Sequence, residues 1–398
     1  MGDTVLVLGV ARTPFGKFGG ALRTLPLPEL GAIAVAAAMH RAGVAPADVE
    51  ELVLGVNFPG AERSVARQVQ LRAGIPEERV AFTVDRACCS SMAAINLASR
   101  GLRLGETSLA VAGGVDNLSR VPYFLSETRF GNRLGDIVLT DQLIVACPHT
   151  GVPRAVQAGD EAKEYGVSRA EQDEWAVRSQ QRYAAAKEAG HFDDEIVAVD
   201  TRDRDGEAVR LAVDEVPRPG TTVDRLAALP TVYGSFSVTA GNAPNMSSGS
   251  TALVLASSRN ASSRWGEPMA ALSSWAQVSG DPQRLASMPA RAARAALAKA
   301  GLGLADIDLI EVNEAFAAVP LVTTLALADR NVAVAKKLRE KTNVNGGAVA
   351  IGHPTGATAG RMVMTMITAL RRRGGGRGLV TICGGVGEAE ALIVHVGQ

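Results

Sequence analysis

Residues 41–49, RAGVAPADV, and residues 299–307, KAGLGLADI, are two copies of one sequence pattern. Each copy is preceded by an Ala-rich stretch of helical character, at 29–42 and at 290–300. Each copy is also followed by a short run rich in β-branched residues that reaches a Val-Asn pair. The pattern therefore predicts a unit in which a helix, a turn and a buried strand follow one another, and it predicts this unit twice.

A second pair of stretches repeats in the same order along the chain. Residues 109–115, LAVAGGV, match residues 380–386, VTICGGV. Both pairs are offset by roughly 260 to 270 residues, and a nearly constant offset indicates duplication of one structural unit. Alternating helices and strands are typical of an α/β fold. We therefore predict two similar α/β units, each with a covered and mostly parallel sheet.

The composition limits the classes of protein to be considered. With 398 residues, of which 47% are hydrophobic, the chain is long enough for two or three domains with sizeable cores. It has 41 basic and 41 acidic residues, so its formal charge is zero. A balanced charge argues against a nucleic-acid-binding protein, although a local basic patch for a phosphate-bearing cofactor is compatible with it.

The cysteine content and the first residues predict a cytoplasmic protein. The four cysteines are too few and too scattered for a disulfide framework, and none lies in a zinc-binding pattern. Residues 1–10 lack the basic segment of a signal peptide and are predicted to form the first strand. No uncharged apolar run reaches about 18 residues, so no membrane span is predicted.

The middle of the chain, residues 120–245, carries more charge and is predicted to be an insertion between the two repeats. Within it, Ser168 to Ala189 has the pattern of an amphipathic helix, with Ser168 as N-cap and Glu171 three residues later. The charged stretch 200–220 contains Pro and Gly and is predicted to be a hairpin or loop. An insertion over the mouth of a site commonly carries substrate specificity.

Cys88 is the first candidate for chemistry. It follows a β-like run at 80–84 and precedes an Ala-rich helical stretch at 90–100. A cysteine at such a turn lies near free N–H groups and the positive end of a helix dipole, which stabilise a thiolate. The alternative is a buried structural cysteine, and Cys89 occupies an equally suitable position.

Three further polar residues lie in short turns after apolar runs. His353 lies in the Gly-rich stretch 343–357, where glycines permit close backbone approach. Cys383 ends a strand and enters a glycine turn, and Asn313 follows the strand 309–312, where it could also be a helix cap. Together these residues supply a thiol nucleophile, a base, a second thiol and an amide.

Several motifs, taken in order, resemble those of the thiolase family, the acyl-CoA C-acetyltransferases and 3-ketoacyl-CoA thiolases. They are ARTPFGKFGG at 11–20, ARQ at 66–68, GG at 113–114, TAGNA at 239–243, NEAF at 313–316, the glycine-rich 346–356 and CGG at 383–385. The resemblance implies a thiolase-like fold: duplicated α/β domains in a layered αβαβα arrangement with an inserted loop domain. The implied domains are 1–119 plus 246–270, the loop domain 120–245, and 271–398.

The resemblance also implies roles for individual residues. Catalysis would use Cys88 as acyl-accepting nucleophile, His353 as its base and Cys383 as acid and base at the α-carbon. One oxyanion hole would comprise His353 and a water held by Asn313, and the other the N–H groups of Cys88 and Gly385. The implied substrate-binding residues are Ala243, Pro244, Ala315 and Phe316.

For ligands and partners, the resemblance implies acyl-CoA and CoA as substrates, with no separate metal or redox cofactor, because the thioester itself acidifies the α-proton. It also implies a homodimer or homotetramer, with no nucleic-acid or membrane partner.

Three stretches depart from the family pattern. The nucleophile turn Asn-x-x-Cys-Gly-Ser-Gly is here DRACCSS at 85–91, so two glycines are replaced by Cys89 and Ser91. The stretch Met-Gly-x-Thr-Ala-Glu is here RAVQAG at 154–159, and Ser-Gly-x-Asn-Asp-Gly is PNMSSG at 244–249. Because the changes surround the substrate, they favour a non-standard acyl group or an altered thioester carrier.

Two alternatives accompany this interpretation. A decarboxylating ketoacyl synthase-like condensing enzyme would also use a cysteine nucleophile, but it normally pairs that cysteine with two histidines or with His and Asn. Here a second cysteine, Cys383, occupies the glycine turn. A catalytically inactive acyl-thioester-binding subunit would not need all four candidate residues. The sequence leaves open whether the thioester carrier is CoA or an acyl-carrier protein.

Overall fold

The computed structural model describes residues 4–126, 128–143, 146–203, 205–259 and 265–397. Strands within these ranges are β1 Val5–Arg12, β2 Gly16–Lys17, β3 Glu51–Gly55, β4 Val80–Val84, β5 Leu109–Asn117, β6 Tyr123–Phe124, β7 Thr140–Asp141, β8 Val199–Arg202, β9 Ala208–Leu211, β10 Ser247–Ser257, β11 Ala270–Ser279, β12 Leu309–Val312, β13 Gly376–Cys383 and β14 Glu388–Val396.

The α-helices within the same ranges are α1 Leu27–Ala42, α2 Val65–Arg72, α3 Ser90–Leu104, α4 Arg154–Glu164, α5 Arg169–Glu188, α6 Val223–Ala227, α7 Met288–Ala300, α8 Ala318–Leu327, α9 Val332–Glu340, α10 Ala348–Ile351 and α11 Thr355–Arg372. Among these helices, none combines the length and the apolar character needed to cross a membrane.

The repeated sequence pattern folds in the same way in both places. Helix α1 ends at Gly43 and helix α7 at Gly301, each in the left-handed conformation, with φ of 64° and 67°. Because glycine has no Cβ, it adopts this conformation without steric cost and caps the helix. A single 3₁₀ turn follows in each copy, Pro46–Asp48 and Leu304–Asp306, and the chain then enters β3 or β12. The predicted duplication is confirmed at this level.

The main sheet has the same internal symmetry. Its strand order is β12-β13-β14-β11-β1-β10-β5-β3-β4, so each half reads in mirror order from the central β1–β11 pair. Strand directions agree between the halves, since β1–β10 and β11–β14 are both antiparallel and β3–β5 and β12–β13 are both parallel. Matching irregularities interrupt β1 between Val7 and Gly9 and β11 between Leu272 and Ser274.

The prediction of a mostly parallel sheet is wrong. Among the strand pairs of the main sheet in the described part of the chain, only β3 with β4 and β5, and β12 with β13, are parallel, and helices connect these strands. The pairs that join these groups are antiparallel. The reason is local: β13 turns directly into β14 through residues 384–387, and a short connection permits only antiparallel pairing. The alternation of helices and strands signalled the crossover units but not these return strands.

Three of the four hydrophobic clusters in the described ranges lie between the layers. Helices α1 and α2 cover one outer face, where Leu30 is fully buried, and helices α7 and α8 cover the other, where Ala293 is fully buried. Helices α3 and α11 lie in the middle and bury Ile95 and Met362 between the two halves of the sheet. The predicted αβαβα layering is confirmed. The middle layer matters for function because both α3 and α11 begin beside candidate site residues.

The segment between β5 and β10 contains the predicted features of the insertion. Ser168 caps α5, and its side chain and that of Glu171 form a complete capping box. Strands β8 and β9 form the predicted hairpin. A buried ion pair ties the segment to the sheet, since Arg12 of β1 contacts Glu195 at 3.0 Å and Asp214 at 2.7 Å. These contacts fix the position of the segment relative to β1.

Candidate active site

Cys88 lies in a tight turn between β4 and α3. The turn is held by Asp85, whose carboxylate accepts from the Ala87 N–H at 3.0 Å. It is also held by Ser90, whose hydroxyl accepts from the Arg86 N–H at 2.8 Å and donates to the Ala87 carbonyl at 2.6 Å. Ala87 has φ of +49°, a conformation that costs free energy for a residue with a Cβ. The network fixes this conformation and presents Cys88 at the start of α3.

The two replaced glycines of this turn have defined packing partners. The Cys89 thiol is fully buried and lies 3.6 Å from the Ile382 carbonyl, to which it donates. The Ser91 hydroxyl accepts from the Gly360 N–H of α11 at 3.0 Å. Both side chains therefore point into the middle layer, and the turn accommodates their volume. Cys88 is only half-buried, so the structure separates two cysteines that position in the sequence could not.

His353 lies beside Cys88. Its Nε2 is 3.2 Å from the Cys88 Sγ, and its Nδ1 is 2.7 Å from the hydroxyl of Thr358. That hydroxyl donates its single hydrogen to the Pro354 carbonyl at 2.8 Å, so it must accept from a protonated Nδ1. The neutral ring then has its lone pair on Nε2, directed at the thiol. This is the tautomer required of a general base for Cys88.

Burial dominates the electrostatics of this pair. Burial lowers the pKa of His353 to about 3, and the charge of Arg361 acts in the same direction. Burial also raises the pKa of Cys88 to about 12, although the charge of Arg154 opposes the shift. Stabilisation of a thiolate by the helix dipole stays a prediction for the step in which Cys88 loses its proton. A neutral thiol and a neutral imidazole face each other, and proton transfer would accompany attack on substrate.

Asn313 lies on the other side of the imidazole. Its side-chain amide nitrogen is 3.5 Å from the Nε2 of His353, and its backbone N–H donates to the Thr381 carbonyl at 3.1 Å. The buried Oδ1 of Asn313 has no hydrogen-bond partner within the described ranges. The alternative role as a helix cap is wrong, because α8 begins only at Ala318. Asn313 therefore has an acceptor, its Oδ1, that is available to a ligand or a water beside the imidazole of His353.

Glu314, the neighbouring motif residue, is a structural carboxylate. It accepts from Trp175 Nε1 at 2.8 Å, Ser179 Oγ at 2.8 Å, Asn343 Nδ2 at 2.9 Å and the Val349 N–H at 3.0 Å. Two of these donors lie on α5 of the insertion, so Glu314 fastens that helix to the loop that carries Asn313. A buried carboxylate that accepts four hydrogen bonds has its hydrogen-bonding capacity met within the protein, so the role of Glu314 is structural.

Cys383 ends β13, and its turn packs against the nucleophile turn. A Cβ built on Gly385 would lie 3.1 Å from the Ala87 Cβ and 3.3 Å from the Nη2 of Arg154. Burial raises the pKa of the Cys383 thiol, so this group is also a neutral thiol at rest. Ala87 of the nucleophile turn and the guanidinium of Arg154 thus both approach Gly385 in the turn of the second cysteine.

The predicted substrate-binding residues lie in two connected loops. The Asn242 carbonyl accepts from the Ala317 N–H at 2.8 Å, and the Asn245 carbonyl accepts from the His353 N–H at 3.2 Å. The four residues are half-buried: Ala243, Pro244, Ala315 and Phe316. The loops therefore form walls beside the imidazole with apolar surface still accessible.

Two residues of this region were not singled out from the sequence. Thr358 fixes the histidine tautomer, and the only available signal was its place in the first turn of the helix that follows His353. Arg154 opens α4 of the insertion and was noted only as a departure from a family pattern. Two thiols, an oriented imidazole and an amide in a duplicated α/β frame define a thiol-dependent acyl-transfer site.

Comparison with known proteins agrees with this class. Residues 5–259 match the family described as Thiolase, N-terminal domain, and residues 266–396 match Thiolase, C-terminal domain. The chain belongs to the thiolase family and is an acyltransferase. These matches give no support to a decarboxylating synthase or to a non-catalytic binding subunit.

Individual relatives extend over essentially the whole chain. The acetyl-CoA acetyltransferase of Cupriavidus necator is 39% identical over 98% of this chain and 99% of its own length. The cytosolic acetyl-CoA acetyltransferase of Mus musculus is 37% identical, with 99% of each chain covered. The crystal structure of human mitochondrial 3-ketoacyl-CoA thiolase superposes with a TM-score of 0.93 at 36% identity, with 99% of each chain covered.

Proposed function

We propose that the protein is an acyl-CoA C-acyltransferase that makes or cleaves 3-ketoacyl-CoA through an acyl group carried on Cys88. The observation that carries this proposal is the 3.2 Å approach of the Cys88 Sγ to the unprotonated Nε2 of His353. The names of the relatives, acetyl-CoA acetyltransferases and a 3-ketoacyl-CoA thiolase, support the same reaction.

In the first half-reaction, His353 accepts the Cys88 proton as the sulfur attacks the carbonyl of an acyl thioester. The developing oxyanion would be stabilised by the backbone N–H groups of Cys88 and Gly385, which lie in the two turns that pack together. Collapse of the tetrahedral intermediate leaves the acyl group on Cys88 and expels the leaving group.

In the second half-reaction, Cys383 transfers a proton at the α-carbon of the acyl-CoA. For condensation it removes the α-proton, and the carbanion attacks the acyl group on Cys88. Cleavage runs through the same steps in reverse. His353 and Asn313 would stabilise the enolate oxygen, Asn313 through a water, because its amide lies beside the imidazole with an unpaired Oδ1. The thioester acidifies the α-proton, so the proposed chemistry needs no resident metal or redox cofactor.

The proposed CoA site lies along the loops that contain Ala243, Pro244, Ala315 and Phe316. Arg218 supports this placement because it is exposed and its guanidinium lies 3.4 Å from the Oδ1 of Asn245 in the first of these loops. A cation at the rim would pair with a phosphate of the carrier while the apolar walls contact its pantetheine arm.

The decisive test is to map acyl adducts on the purified protein by peptide mass spectrometry after incubation with a panel of acyl-CoAs. We expect an adduct on the peptide that contains Cys88, and we expect free CoA to remove it. Fragment ions that assign the acyl group to Cys89, or a complete lack of adducts across the panel, would contradict the proposal.

We further propose a division into a first domain of 1–119 with 246–270, a loop domain of 120–245 and a last domain of 271–398. The mirror order of the sheet supports this division, because β10 returns to the first half after the insertion. The domain boundaries would be tested by limited proteolysis, with cuts expected near 120 and 245 before the two sheet halves are cleaved. We also propose a cytoplasmic location, because the murine relative is named a cytosolic enzyme.

A homodimer or homotetramer is proposed from unpaired apolar surface. Strand β4 lies at the edge of the main sheet, and its Val80 and Phe82 are 58% and 38% exposed. A long exposed apolar edge invites pairing with another chain. Several side chains after β6 are also largely exposed, including Phe130 and Leu134.

Replacing Phe82 with Lys is expected to shift the molar mass, measured by light scattering after size-exclusion chromatography, from an oligomer toward a monomer. Leu104→Lys is the matched control, because Leu104 is exposed but belongs to α3 and not to the edge strand. A wild-type protein that elutes as a monomer, or an unchanged mass for Phe82→Lys, would refute this interface.

A further inference from the structure

Arg154 brings a positive charge to the centre of the proposed site. It is the first residue of α4, in the insertion, and its side chain is half-buried. Its Nη2 lies 3.3 Å from the position of a Cβ on Gly385, and the Ala87 Cβ lies 3.1 Å from that same position. The guanidinium therefore lies against the turn of the second cysteine, and its charge acts on the thiols of both Cys88 and Cys383.

This guanidinium lacks an anionic partner within the described ranges. Its recorded hydrogen bond runs from Nη1 to the neutral Oε1 of Gln157 at 2.9 Å. By contrast, the neighbouring Arg86 contacts the carboxylates of Glu388 at 3.2 Å and Glu390 at 2.7 Å. A guanidinium has five N–H donors, so Arg154 retains donors for a ligand, and a partly desolvated cation is stabilised when an anion binds it.

We propose that Arg154 binds a carboxylate at the end of the acyl group, so that the preferred substrate is a 3-oxoacyl-CoA with a short chain ending in a carboxylate. The inference rests on the proposed function and names its substrate class. The phosphates of CoA lie at the far end of the pantetheine arm and cannot reach a cation beside Cys88. Because Arg154 lies against the turn of Gly385 and its charge acts on both reacting thiols, the carboxylate must be only a few bonds from the thioester carbonyl.

The reaction with such a substrate is balanced without any further reactant. The Cys88 sulfur attacks the C3 carbonyl, the C2–C3 bond breaks, and its electron pair takes a proton from Cys383 at C2. Acetyl-CoA leaves, and the carboxyacyl group remains on Cys88. The CoA thiol then gives its proton to the Cys383 thiolate and attacks this thioester, giving carboxyacyl-CoA, while the departing Cys88 sulfur recovers its proton from His353. Arg154 would hold the distal carboxylate throughout and act as a specificity-determining residue.

The test compares thiolysis of 3-oxoadipyl-CoA and 3-oxohexanoyl-CoA, which have the same chain length and differ by the terminal carboxylate. We expect the wild-type kcat/KM to be higher for 3-oxoadipyl-CoA by about 10- to 100-fold, the range for a hydrogen-bonded charged group. Arg154→Met is expected to remove this preference, because kcat/KM falls far more for 3-oxoadipyl-CoA than for 3-oxohexanoyl-CoA. Arg154→Lys is the matched control and is expected to keep part of the preference.

Three outcomes would overturn the inference. The first is wild-type cleavage of both substrates with equal kcat/KM. The second is an equal loss on both substrates in Arg154→Met, which would mean that Arg154 acts on the thiols or on folding instead. The third, no cleavage and no adduct on Cys88 from any acyl-CoA, would also remove the proposed function. A normal acetyl adduct on Cys88 in the wild type and in Arg154→Met would show that the site is intact, so the first two outcomes refute the substrate class alone.

Discussion

Cys88→Ala is expected to lower the kcat for 3-ketoacyl-CoA cleavage by about 10⁴-fold or more and to abolish the acyl adduct. The expected loss is of the size found when the nucleophile of a covalent mechanism is removed, because no other group can carry the intermediate. The measurement is the rate of acetoacetyl-CoA thiolysis, followed together with the peptide mass of the adduct. Cys88 is half-buried at the surface of the turn, so its removal should leave the fold intact.

Cys89→Ala is the matched control for this variant. The Cys89 thiol points into the middle layer toward the Ile382 carbonyl, away from the imidazole. Removing it is expected to lower thermal stability, because a cavity is left in a close-packed core, while the adduct on Cys88 still forms. If Cys88→Ala retained an adduct and Cys89→Ala lost it, the assignment of the nucleophile would be wrong.

The fold could be predicted from the sequence because duplication leaves a signal at several levels. Gly43 and Gly301 mark the same helix end, and the strands after them begin at matching positions. The direction of the return strands could not be predicted in this way. Whether two neighbouring strands are parallel or antiparallel depends on whether the connection between them crosses over the sheet. The composition of a glycine turn such as 384–387 does not reveal which type of connection it makes.

Part of the candidate site could also be predicted, because the composition of its turns is unusual. Cys88, His353 and Cys383 lie in turns with unusual composition, and the sequence indicates such turns strongly. Cys88 and Cys89 could not be separated, because one residue along a tight turn reverses the direction of a side chain. The stretch 154–159 was predicted to lie near the substrate, but no role was predicted for Arg154 itself, because only tertiary packing places its guanidinium against Gly385.

In this arrangement, the two halves of the duplicated frame and the insertion contribute different parts of the site. Each half of the duplicated frame contributes one cysteine at the end of a strand, and the packed turns fix their separation. The insertion contributes Arg154, and Glu314 fastens it through Trp175 and Ser179. Substrate preference can therefore change through the insertion while the reacting thiols remain in place.

Cys383→Ala is expected to separate the two half-reactions. The variant should still form an acetyl adduct on Cys88, because His353 remains 3.2 Å from the nucleophile. It should lose cleavage of 3-ketoacyl-CoA by about 10²- to 10⁴-fold, the range for removal of a general acid or base. It should also lose exchange of the α-protons of acetyl-CoA with deuterium from solvent, since no other thiol of the site reaches the α-carbon.

In Cys383→Ala, exchange of the α-protons shows whether the variant has lost a proton donor or has a disturbed turn. Cys383 is fully buried, so its removal could also disturb the turn of Gly385 and weaken the first oxyanion hole. A structural defect would lower adduct formation and exchange together. Loss of a proton donor alone would abolish exchange while the adduct forms, and Cys89→Ala, which removes another buried thiol packed against the same turn, should retain both. Exchange at the wild-type rate in Cys383→Ala would show that another group handles the α-proton and would overturn this part of the mechanism.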